Sequence, residues 1–171
     1  MSGGVVVADS GPIIHLSRVG LVDLLPALYD SIVVPRAVFQ EVVHDGAGQP
    51  GSAELAGAAW AEIVEHDPED PLFLGFLQIL QVGESAAISI AYRRGARLLL
   101  IDDNRARMAA RSLKLGVKGT LGVLVLAKQR GRLPAVAPKI GELRAQRVWI
   151  SEEVARRALR EAGEPETDVQ G

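Results

Sequence analysis

Apolar and polar positions along the chain fall into short β-branched or leucine-rich runs separated by longer stretches of helical period. Val5 to Ala8 is the first run and stops on Asp9-Ser10-Gly11-Pro12, which reads as a strand, a turn and a helix start. Ser10 is the expected N-cap and Pro12 fits the first helical turn. The helix from Ile13 to Val19 ends at Gly20, and a second, Val22 to Tyr29, carries Pro26 where a kink is expected. Ile32 to Val34 predicts another strand. Pro35 opens a helix from Arg36 to Val43, with Val38 and Val42 on its buried stripe and Glu41 off it.

The middle of the chain repeats the alternation. His44 to Gly51 is a flexible loop, Ser52 to Ala61 a short helix, and Glu62 to Val64 a strand. Glu65 to Pro71 reads as a solvated acidic connector before an apolar helix, Leu72 to Leu80. Glu84 opens a helix running to Arg93, where a first-turn carboxylate gains from the helix dipole. Leu98 to Ile101 then forms a buried strand that stops on two adjacent carboxylates, Asp102 and Asp103, and like charges side by side call for a counter-charge or water.

Asn104 to Arg111 predicts a helix with a basic outer side, and Val117 to Thr120 a short strand and turn. An apolar helix follows from Leu121 to Arg130, closed by Gly131, then a helix from Ala135 to Ala145 and a last strand, Val148 to Ile150. Ser151 caps the final helix, which ends at Gly163. Residues 164–171 are polar and predict a disordered tail, so residues 1–163 form one domain. Short strands alternating with helices imply an α/β fold, a three-layer α/β/α sandwich around a mostly parallel sheet. Ligands in such sheets bind at the carboxyl ends of the strands, the edge on which Asp9 and Asp102 fall.

Composition narrows the chemistry. The 171 residues include no cysteine, which excludes thiolate ligands, disulfides and a cysteine nucleophile. No run approaches membrane-spanning length and the N-terminus lacks a basic leader, so a soluble, cytoplasmic protein is expected. The net charge of -2 conceals an asymmetry: residues 1–92 hold two bases and 12 acids, and residues 93–171 hold 17 bases and nine acids. An acidic pocket beside a basic wall suits a metal site that meets a polyanion; solvated arginine faces are the plain alternative.

Asp9, Glu41, Glu84 and Asp102 come from four separate places, with Asp103 a further candidate. Oxygen ligands without cysteine or zinc-spaced histidine favour Mg²⁺ or Mn²⁺ and suit hydrolysis of a phosphodiester. Each acid also has a plain reading: a turn for Asp9, a solvated face for Glu41, a helix cap for Glu84. His15, His44 and His66 read as structural or solvated. Trp60 and Trp149 read as core or interface anchors, and so few aromatics argue against a base-stacking platform.

Four stretches in order, Val6 to Ile14, Val34 to Val42, Gly83 to Ile88 and Leu100 to Arg105, resemble the PIN-domain nucleases. The likeness is to the bacterial and archaeal subgroup of toxin-antitoxin ribonucleases (VapC-like, DUF3368-type), and Gly119 to Leu124, with Ala127, Lys128 and Gly131, extends it to about residue 145. The resemblance implies a Mg²⁺- or Mn²⁺-dependent ribonuclease with Asp9, Glu41, Glu84 and Asp102 as its acidic quartet, and often a small antitoxin protein as partner. Asp103 and Ser10 stand beside that quartet. On this reading Asp9, Glu84 and Asp102 hold the metal and Glu41 orients the attacking water or a second ion. Thr120 hydrogen-bonds near the site or caps the helix at Leu121, and Arg105, Arg107 and Arg111 bind RNA phosphates, pairing with an acid being the equal alternative for Arg111. The third acid, commonly aspartate in the family, is Glu84 here. A noncatalytic PIN-fold module that binds RNA or protein is the main alternative. A phosphoacceptor receiver domain would want an acidic pair after the first strand, where only Asp9 stands. The helix Leu72 to Leu80 offers a homodimer face, with a core role as its default.

Overall fold

A computed structural model describes residues 3–166, which build a five-stranded, wholly parallel sheet in the order β3-β2-β1-β4-β5. The strands are β1 (Val6–Ala8), β2 (Ile32–Pro35), β3 (Ala61–Val64), β4 (Leu98–Leu100) and β5 (Val117–Lys118). Chain order reverses at β1, which lies between β2 and β4, so the carboxyl ends of β1 and β4 flank the switch point of the sheet.

Period-two burial puts successive residues of each strand on opposite faces. Val6, Ala8, Ile32, Val34 and Leu100 face one apolar layer, with α1 (Ser10–Arg18), α2 (Leu24–Tyr29), α8 (Thr120–Gln129), α9 (Ala137–Ala145) and α10 (Glu152–Glu161). Val7, Val33, Leu99 and Ile101 face the other, against α6 (Val82–Arg93) and α7 (Asn104–Ser112). The fold is the three-layer α/β/α sandwich that the alternation of elements predicts.

Several local expectations change. Pro26 falls in the first turn of α2, where no carbonyl four residues earlier belongs to the helix, so no kink is needed. The helix expected over 36–43 is α-helical only as α3 (Arg36–Phe39) and widens into a π-helical turn, Gln40–Asp45, in which the Gly46 N–H donates to the Glu41 carbonyl. The short α4 (Ser52–Ala56) precedes β3. No strand forms at Val148–Ile150. The Ile150 carbonyl accepts from Arg144 Nη2 at 3.0 Å instead of from a sheet neighbour, and Trp149 is 83% exposed.

The acidic connector is not solvated throughout. Asp70 is buried, caps α5 (Pro71–Leu77) by accepting from Leu72 N, and takes hydrogen bonds from Ser89 Oγ at 2.7 Å and Arg93 Nη2 at 2.6 Å. It ties α5 to α6. At the far end, Glu164 accepts from Lys128 Nζ and from the Val136 and Ala137 N–H groups, fastening the chain after α10 to the start of α9. The rest of the expected polar tail, residues 167–171, lies outside the described residues. Among the described residues no helix is long and apolar enough to cross a membrane.

Candidate metal centre and nucleic-acid interface

Asp9 leaves β1 in extended conformation as the N-cap residue of α1, so Ser10, expected as the cap, is the first helical residue. The Asp9 N–H donates to the Leu100 carbonyl, which locks the end of β1 against β4. Its carboxylate is 5% exposed and its Oδ1 has no hydrogen-bond partner among the described residues. Burial, with the nearby charges of Glu41, Glu84 and Asp102, pushes its pKa up to about 7 against the pull of the Ser10 backbone. A buried carboxylate oxygen without a donor, facing three other acids, is an acceptor in want of a cation.

Glu41 approaches from the π-helical turn, and Ser10 Oγ donates to its Oε1 at 3.0 Å. Gly83 lets it come close: a Cβ there would stand 2.9 Å from Glu41 Oε2 and 3.6 Å from Asp9 Oδ1. Glu84, in the first turn of α6, reaches back to accept from Gln81 N through Oε2 at 3.1 Å. Burial raises its pKa, the backbone bond from Gln81 opposes this, and Asp103 and Glu41 add to the rise.

Asp102 follows β4 and is differently held. Its Oδ1 accepts from Thr120 N at 2.6 Å, and its Oδ2 accepts from Thr120 Oγ1 at 2.6 Å and from His15 Nδ1 at 2.8 Å. Burial acts to raise its pKa, but the bonds from His15 and Thr120 outweigh it and hold the carboxyl below its usual range. Asp9 and Asp102 are neighbours at one sheet edge with opposite shifts. Asp102 is kept ionised by its own partners; Asp9 is held toward its protonated form unless a cation offsets its burial.

The structure therefore gathers Asp9, Glu41, Glu84 and Asp102 into one electrostatic neighbourhood, with Ser10 bonded to Glu41 and Thr120 to Asp102. Asp103 does separate work: it is the exposed N-cap of α7 and accepts from Ala106 N at 2.9 Å. Sequence reading missed His15. Its signal is the position four residues after Gly11, on the helix face that abuts Asp102: a Cβ at Gly11 would stand 3.0 Å from Asp102 Oδ2.

The donor set fits a hard divalent cation by chemistry, since all four groups are carboxylates and one buried oxygen is unpartnered. Their spacing is open: among the described residues no three His, Asp or Glu groups stand together as a ready cage. Glu84 Oε1 and a further lone pair of Asp102 Oδ1 remain available beyond the bonds already made.

A cleft of about 620 Å³ opens beside Asp102 and is lined by His15, Arg107, Arg111, Lys118 and Arg157. Arg105 does not line it and lies exposed near Glu84. Gly119 admits Arg107 to the site, because a Cβ there would stand 2.5 Å from Arg107 Nη1 and 2.7 Å from Asp102 Oδ1.

No curated protein sequence matches the chain. The family model described as DUF3368, a PIN domain, matches residues 5–164, a span that includes every strand, all four acids and the bonds around Asp102. A parallel sheet whose switch point carries acids at the ends of β1 and β4 is the frame such a match requires, and the chain belongs to the PIN-domain family.

Proposed function

We propose that this chain is a Mg²⁺- or Mn²⁺-dependent endoribonuclease that hydrolyses phosphodiester bonds in RNA. The observation that carries the reading is the Asp9 carboxylate, buried, unpartnered at Oδ1 and surrounded by three acids. PIN domains are nucleases in general, which makes a nucleic acid the substrate class. Asp9 and Asp102 would hold the ion and Glu84 would complete its shell through the lone pairs that their protein bonds leave over. An ion bound there would supply positive charge for a scissile phosphate and would lower the pKa of a water. Glu41, oriented by Ser10, positions that water and accepts its proton. His15 and Thr120 hold Asp102 ionised and fixed in direction. Arg107 and Arg111 neutralise phosphates in the adjoining cleft, and Arg105 neutralises them nearer Glu84.

The biological setting proposed is the toxin of a toxin-antitoxin pair in the cytoplasm, with a small antitoxin protein as partner and a homodimer as its assembly. The first test is cleavage of single-stranded RNA with Mn²⁺ by the wild type and by Asp9→Asn and Asp102→Asn. Both variants should fold and lose metal-stimulated cleavage. Unchanged activity in either ends the assignment of that residue.

A second reading, a noncatalytic module that binds RNA or protein, is favoured by the open spacing of the acids and by the prior engagement of Glu84 and Asp102. Calorimetry with Mn²⁺ separates the two. The nuclease binds the ion at Asp9, and a module without catalysis shows no heat that Asp9→Asn removes.

A further inference from the structure

The cleft beside Asp102 carries two features that the acidic site does not use. Trp149, in the segment between α9 and α10, stands on its rim with 83% of its surface exposed. On its walls, the side chains of Arg107, Arg111 and Lys118 make no hydrogen bond or ion pair among the described residues, and Arg157 reaches only Glu161, at 4.0 Å. Arg107, Arg111 and Arg157 crowd one cleft, and burial with the charges of Arg111 and Arg157 lowers the pKa of Arg107 against the opposing charge of Asp102. Asp102, Glu153 and Glu161 also line the cleft, against the four cations Arg107, Arg111, Lys118 and Arg157, and like charges crowded with that excess are stabilised by a polyanion.

We infer that this cleft seats a single-stranded RNA segment leading to Asp102, with Arg107, Arg111 and Arg157 on its phosphates and one nucleobase stacked on Trp149. The inference rests on the ribonuclease reading above and adds the path of the strand and Trp149 as a binding residue on it. Charge complementarity selects a polyanion, and an exposed indole face accepts any unstacked base, whatever its sequence. Duplex RNA keeps its bases stacked inside and offers none to a ring on a cleft rim. Trp149 is thus a binding residue outside the acidic motifs, and a single ring serves where no aromatic platform exists.

The test uses the full chain without divalent cation, so that binding is read apart from cleavage, and a dye-labelled single-stranded oligouridine as probe. Tryptophan emission should be quenched in step with the rise in anisotropy, and the quench should vanish in Trp149→Phe while most affinity remains. Trp149→Ala should weaken binding about tenfold, the scale of one base–aromatic stack. Arg157→Gln should reduce the salt dependence of binding by about one phosphate contact. Melting temperatures should not move, since both side chains are exposed.

Absent quenching, unaltered affinity in Trp149→Ala, equal quenching by duplex RNA, or equal affinity for polyglutamate would each overturn the inference, the last in favour of an acidic polypeptide. Cleavage with Mn²⁺ is scored separately. A chain that cleaves but fails these binding tests keeps the nuclease reading and loses the cleft; one that binds as expected but never cleaves does the reverse.

Discussion

Thr120 gives the Asp102 carboxylate two hydrogen bonds, one from its backbone N–H and one from its hydroxyl, each 2.6 Å long. One residue at the start of α8 thereby fixes the direction of an acid that follows β4 and, with His15, keeps it charged. Thr120→Val keeps the shape and the N–H but removes the hydroxyl. It should cost about 1.5 kcal/mol of stability, as expected for a hydrogen bond to a charged group. Cleavage should fall about tenfold through lost positioning, and Thr120→Ser should restore most of both. Denaturant melts and a manganese-dependent cleavage assay check the pair; equal behaviour of Val and Ser variants would remove the hydroxyl from the site.

Asp9 predicts a pH dependence of stability. Its carboxyl is raised from 3.8 to about 7, so between those values the folded protein holds a proton that the unfolded chain has released. Stability contributed by that proton is complete below the unfolded pKa and is lost as pH rises toward 7. In EDTA, Asp9→Asn should match the wild type near pH 4 and exceed it at pH 8, by at most about 4 kcal/mol. Urea melts across this range decide the matter, and parallel curves for the two proteins would refute it.

Asp70 predicts the opposite slope. The hydrogen bonds from Arg93 hold its carboxyl well below the usual range, aided by the Leu72 N–H and Ser89. Its contribution is full above the unfolded pKa of 3.8 and is lost as pH falls toward the folded value. Asp70→Asn should therefore cost about 2 kcal/mol at pH 7, the scale of a charged hydrogen bond. The gap from wild type should narrow on acidification below pH 4. A constant gap would show that packing, not charge, sets the cost.

Gly83 sits where backbone meets two carboxylates. Gly83→Ala puts a methyl group against Glu41 Oε2, the mobile end of a long side chain, so the fold should survive with stability changed by less than about 1 kcal/mol. The methyl group would fill the space between Glu41 and Asp9, and metal-stimulated cleavage should drop while melting does not. Wild-type cleavage by this variant would show that the gap is not needed.

Much of this was legible in the chain because parallel strands buried on both faces are written as short unbroken apolar runs. Val6–Ala8, Ile32–Pro35 and Leu98–Leu100 announce themselves, and the acids that follow two of them inherit their place from the sheet. Side-chain partners chosen across long separations were not legible. His15 meets Asp102 over 87 positions, and nothing local in a lone histidine on a helix specifies that acceptor. Asp70 reads as one acid among several in a connector until Ser89 and Arg93 arrive from α6. Val148–Ile150 has strand-like composition but pairs with neither edge strand, β3 or β5, and the Ile150 carbonyl is taken by Arg144. The π-helical turn under Glu41 depends on how residues 40–46 close, not on their hydrophobic period.

The pairing of β1 with β4 joins residues more than ninety positions apart, and Asp102 is seated only when it forms. During synthesis, Asp9, Glu41 and Glu84 all leave the ribosome before the strand that completes their company. Until Leu98–Leu100 has emerged and slid in beside Val6–Ala8, the acidic nest has no fourth wall. The four acids are thus complete only once β4 is in place, and a translation product abandoned before β4 lacks both Asp102 and the strand that seats it.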